Sequence, residues 1–311
     1  MSAISNASRI LVLIGVLFVC LSVAGVLVGF VGDGHGPAPA PEEQDGPVEK
    51  ENPAEQAKFF LVILGVCSLE TLVLAYPILR SRWSAWRLTG AVFLAVFGVE
   101  FFLPQMEAVF FGVLSGNLVT RVLLMGTIMA ALFSPLAVWI LGRWKPTVTD
   151  LPLSVRMSTP EWIWKLAAIA VIYLFLYTTF GAFIAWRSPE VRSYYIGLSS
   201  GTAFEHGLSL LIPFQILRGL LWVVVALPVL RMMRGRFWES GLAVGLLFAV
   251  LMNAQLLLPN PYMPEGVRWL HLIETAPSNF LLGWCIAWLF YRHHASFRDL
   301  FRGKERCLEP T

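Results

Sequence analysis

Trp269-Leu270-His271-Leu272-Ile273-Glu274-Thr275-Ala276-Pro277-Ser278-Asn279-Phe280-Leu281-Leu282-Gly283-Trp284-Cys285-Ile286-Ala287-Trp288-Leu289-Phe290-Tyr291 is the stretch that decides how this chain of 311 residues is read. It is long enough to cross a bilayer, which takes about 20 residues of helix. Yet its first turns carry His271 and Glu274, then Thr275, Ser278 and Asn279. At about 100° per residue, His271, Glu274, Thr275, Ser278, Leu282 and Cys285 share one face, with Ile273, Phe280, Trp284 and Trp288 on the other. A spanning helix with a bulky apolar side and a small, ionisable side does more than anchor.

Composition sets the class around that helix. Hydrophobic residues make up 57% of the chain and charged residues only 14%, against about 25% charged in soluble domains. Mean hydropathy is +0.69. The expected fold is all-α: a polytopic transmembrane helical bundle forming a single membrane domain over residues 1–311. The net charge of +3 is explained by loop orientation and gives no reason to expect nucleic acid. Cys20, Cys67 and Cys285 lie in apolar runs and Cys307 in the tail, so neither a disulfide framework nor a zinc-type cysteine pair is expected.

Eight apolar runs are legible, at about 10–31, 59–79, 88–103, 118–142, 162–186, 208–230, 241–258 and 269–291. The first reads as an uncleaved signal anchor, being too long for a cleavable leader's apolar region. Residues 32–57 are rich in Pro, Gly and acid and read as a mobile external loop. Arg80, Arg82 and Arg87 follow the second run, Arg143, Lys145 and Arg156 the fourth, and Arg231, Arg234 and Arg236 the sixth. After the eighth comes a short basic tail at 292–311. Because cytoplasmic loops concentrate Lys and Arg, both termini are expected in the cytoplasm of a cell with this protein in its plasma (inner) membrane. The count changes by one if the segment around Pro104 re-enters rather than crosses.

Ionisable side chains at the bilayer centre cost about 2.5–3.5 kcal/mol each on insertion scales, so they persist where they face one another, water or a ligand. Glu70 lies near the middle of the second run, and Gln215 and Arg218 near the middle of the sixth. Glu100 lies toward the outer end of the third. Pro104 removes the hydrogen bond to the Glu100 carbonyl and predicts a kink or unwound turn there; if the helix resumes, Glu107 returns to the face of Glu100. Pro277 does the same to the carbonyl of Ile273. An always-charged guanidinium at that depth needs a partner, and the expected one for Arg218 is Glu70 or Glu100. Such a pair serves either to hold helices in register or to bind an anion or relay protons.

The outer end is richer. His271, Glu274 and Glu100 are the candidate catalytic residues, as acid, base or ligands. Arg218, Gln215, Glu70, Arg268 and Asn279 are the candidate substrate-binding residues. His271 and Glu274, three apart, offer a nitrogen and an oxygen to one divalent metal, with His206 and Glu100 or Glu107 completing the shell. The plainer alternative is that His271 hydrogen-bonds Glu274. No nucleophile elbow and no Gly-rich phosphate loop is present. Three functions fit. One is a membrane-embedded enzyme acting on a lipid or lipid-linked substrate. Another is a carrier of a small solute or ion using Glu70, Glu100 and Arg218. The third is a non-catalytic subunit or assembly partner. A carrier needs polar residues continuing to the cytoplasmic ends of runs two, three, six and eight. Those ends are apolar, which ranks the enzyme first.

Overall fold

The computed structural model describes residues 5–31, 53–145, 157–198, 207–259, 263–294, 297–300 and 304–305. They are helical throughout, apart from short turns and one two-residue antiparallel pair, Arg292–His293 with Lys304–Glu305. In chain order the helices are α1 (Asn6–Val31), α2 (Pro53–Leu79), α3 (Ala85–Val96), α4 (Leu103–Phe110), α5 (Gly116–Ile140), α6 (Thr159–Phe183), α7 (Pro189–Leu198), α8 (Gly207–Met232), α9 (Phe237–Asn253) and α10 (Glu265–Tyr291).

Among the described residues, seven segments are long and apolar enough to cross a membrane, α3 and α4 counting together as one segment over Ala85–Phe110. The eighth apolar run exists as α10, 27 residues long and therefore about 40 Å at 1.5 Å per residue. Its polar face keeps it below the hydropathy of the other seven.

Several local expectations need correction. The external loop expected over residues 32–57 ends sooner, because α2 already starts at Pro53, a residue suited to a first helical turn, with Glu55 beside the positive end of the helix dipole. Residues 32–52, most of that loop, lie outside the described residues. The third run does not stop at Leu103. The break at Pro104 is taken up by a six-residue π turn, Phe97–Phe102, after which α4 carries the helix on to Phe110. The wider turn absorbs the hydrogen bond that Pro104 cannot make. Pro277 causes no break, since α10 is continuous through it. The segment after the fifth run is not all loop, because α7 forms within it.

In lipid there is no hydrophobic drive between helices, so close packing of small residues does the work. The α9–α10 crossing shows this. A Cβ added at Gly283 would meet the Gly245 backbone at 2.8 Å, and one at Gly241 would meet Trp284 at 3.0 Å. Gly241 and Gly245 form a G-x-x-x-G pair in the sequence. Gly126 on α5 likewise admits Phe101 of the π turn, whose ring leaves no room for a Cβ there.

One end of the bundle gathers the arginines. Arg80 pairs with Glu239 at 3.2 Å, and Arg82 Nε donates to the Met233 carbonyl at 3.0 Å. Arg143 donates to the Ser81 carbonyl and Arg9 to that of Leu141 at 3.4 Å. Buried Lys165 bonds Glu161 and the Arg292 carbonyl, each at 2.7 Å. These contacts place the start of α1 and the end of α10 at the same end, with cations on the carbonyls that helix C-termini leave over.

Candidate functional site

Toward the other end, α4, α6, α7, α8 and α10 enclose a cavity of about 380 Å³. Its walls are aromatic: Phe110 and Phe111 after α4, Tyr173, Tyr177 and Phe180 from α6, Trp186, and Tyr195 from α7. Its polar groups are Glu107, Arg218, His271, Glu274, Thr275, Ser278 and Asn279. The polar face of α10 therefore lines the cavity, while Ile273 on the opposite face is 56% exposed.

Arg218 is fully buried, with Nη2 2.8 Å from Glu107 Oε2 and Nη1 3.3 Å from the Gln215 side-chain oxygen. Its guanidinium lies 5.9 Å from the centre of the Tyr173 ring and 5.7 Å from that of Phe214. The expected partner was Glu70 or Glu100; the partner is Glu107. The reason is the π turn, which changes the rotation between positions 100 and 107. Glu100 thus stays against Gln255, whose Nε2 donates to it at 2.9 Å, and does not share a face with Glu107.

Of the other candidates, Asn279 lines the cavity and Gln215 supports Arg218 from behind. Glu100 and Glu70 are buried but do not line it. Glu70 Oε1 has no hydrogen-bond partner among the described residues. Arg268 turns away and donates to the carbonyls of Leu256 and Leu258, closing the end of the α9 segment. His206 lies outside the described residues.

His271 Nδ1 stands 3.2 Å from Glu274 Oε2. With the carboxylate accepting from Nδ1–H, the other ring nitrogen is left with its lone pair, the arrangement of an oriented general base. Thr275 is held by the His271 carbonyl at 2.6 Å and by Asn253. Tyr195 lies outside the long apolar segments. Burial, reinforced by the Glu107 and Glu274 carboxylates, raises its phenol well above the ordinary value, so it stays a proton donor. His271 is engaged with Glu274 and Glu107 with Arg218, and no three His, Cys, Asp or Glu side chains cluster suitably among the described residues.

The sequence reading missed the tyrosines and phenylalanines of the wall, although Tyr173 and Tyr177 stand four apart on one face of α6. It also missed the buried Glu161–Lys165 pair, whose i, i+4 spacing was visible.

No family model, curated protein or solved structure matches the chain. The fold itself defines the class: a multi-pass helical membrane protein, with seven long apolar segments fitted to a lipid bilayer.

Proposed function

We propose that this protein is a membrane-embedded enzyme acting on a lipid or lipid-linked substrate whose head group enters the cavity. In this reading α10 is the eighth span and both termini face the cytoplasm of a plasma (inner) membrane. The convergence of the arginine-rich ends supports that orientation, and the cavity then lies toward the outer leaflet. His271, oriented by Glu274, serves as general base and then acid. Arg218 and Asn279 hold the polar head, and the tyrosines and phenylalanines exclude water.

The observation that carries the proposal is that the cavity has a floor. Beneath Arg218 on α8 come Trp222, Val223, Val225, Ala226, Val229 and Leu230, all buried. Leu251, Phe248, Leu247 and Val244 do the same on α9, and Leu282, Ile286 and Ala287 on α10. An enzyme needs its polar groups open to one side only, whereas a carrier needs them to continue. Glu70 and Glu100, on which a carrier would depend, stand outside the cavity.

The test compares the lipids of cells lacking the gene with those of cells complemented by wild type, His271→Ala or Glu274→Gln at equal membrane abundance. A lipid class converted by wild type and by neither variant supports the enzyme. Lipid profiles identical in all four strains would return the chain to a carrier or an assembly subunit.

A further inference from the structure

A lipid head group drawn into a protein still has a hydrocarbon chain to accommodate. Every methylene pulled out of apolar surroundings is costly, so a head-group cavity within a bilayer needs an apolar way out to the side. Next to the cavity is a groove of about 320 Å³ between α4 and α5, lined by Met106, Val109, Val119 and Leu123 and apolar apart from Gln105. It opens outward, with Val109 58% exposed.

The groove and the cavity share a wall. Phe110 lines both. Its ring stacks on Phe214, centroids 3.9 Å apart and planes within 6°. Phe214 lines the groove on one side and lies 5.7 Å from the Arg218 guanidinium on the other. Phe110 and Phe214 thus stand between the hydrocarbon side and the buried charge. A change of χ1 rotamer at Phe110 or Phe214 swings its ring aside and opens such a partition without moving backbone.

We propose that the α4–α5 groove holds the hydrocarbon chain of the lipid whose head group occupies the cavity, the chain passing between Phe110 and Phe214. This rests on the lipid-substrate reading and adds the path by which such a substrate enters from the side.

The test places the full-length protein in nanodiscs of dimyristoylphosphatidylcholine carrying phosphatidylglycerol with a photoreactive diazirine in its chain. Cross-linked residues are then mapped by mass spectrometry. The expected result is labelling at Val109, Val119 and Leu123 several-fold above that at Val171, which is 67% exposed on α6. Leu123→Trp, which fills the groove, should reduce the signal to the Val171 level, and Leu124→Trp, on an exposed neighbouring position, should leave it. Val109→Trp gives the same occlusion from α4 should Leu123→Trp fold poorly. Labelling no stronger in the groove than at Val171, or unchanged by either occluding variant, means annular lipid only and overturns the proposal. The outcome is separate from the enzyme reading. Conversion of a lipid with no groove labelling keeps the enzyme and removes this path. Groove labelling without any conversion keeps a lipid-binding groove and removes the enzyme.

Discussion

Arg218 on α8 and Glu107 on α4 stand 2.8 Å apart, with the guanidinium 2% exposed and the carboxylate 17%. The pair ties together two helices on either side of the cavity and leaves both charges at its edge. Removing one partner strands the other in a low-dielectric setting, which costs about 3–5 kcal/mol for buried pairs, whereas removing both is often close to neutral. Glu107→Gln and Arg218→Gln should each lower the thermal unfolding temperature in detergent sharply, and the double variant should recover most of the loss. Strictly additive losses would show that the two charges do not depend on each other.

How much of this was legible in the sequence depends on what fixes each feature. The all-helical membrane class follows from hydropathy, which is additive along the chain, and so do seven of the eight expected apolar segments. The ionisable face of α10 follows from the 100° period, and its residues do line one cavity. The partner of Arg218 was not legible, because it depends on the rotation introduced by Phe97–Phe102. Pro104 announced a disturbance there but not that it would be a wider turn. Arg268 looked like a ligand-binding cation because charge was read without the carbonyls of Leu256 and Leu258, which only folding brings to it.

The α9–α10 crossing yields a prediction of its own. Gly283 faces backbone, which cannot yield, so Gly283→Val should destabilise the protein by about 1–3 kcal/mol or more, the range for overpacked sites. Gly65 has nothing within 4 Å of its would-be Cβ, and Gly65→Ala should be neutral or slightly stabilising, since Ala is the better helix former. Thermal unfolding of the two variants in one detergent checks both. Equal behaviour would contradict the close approach.

The arginine end carries a pH dependence. His294 is buried after α10, its Nε2 3.2 Å from the Leu300 carbonyl and its ring near Trp164 and Trp288. Burial first, then the Lys165 ammonium, with Arg292 adding to it, lowers its pKa below the ordinary value; Glu161 and the Leu300 carbonyl oppose this without reversing it. The folded state therefore prefers the neutral ring. Its contribution is complete above the unfolded value of about 6.5 and is lost as pH falls through the lowered folded value. Unfolding temperature should drop between pH 7.5 and pH 5, and less so in His294→Gln. An identical drop in the variant would assign the effect to other groups.

A polar cavity closed by an apolar floor should open to one side of the membrane only, and accessibility measures this directly. In a background with the native cysteines replaced, Thr275→Cys and Ser278→Cys are exposed to a membrane-impermeant maleimide from each side of sealed vesicles in turn. Labelling is expected only from the side opposite the arginine-rich loops. Labelling of either position from the arginine side would mean a path through the floor formed by Trp222 and Phe248, and would contradict that expectation.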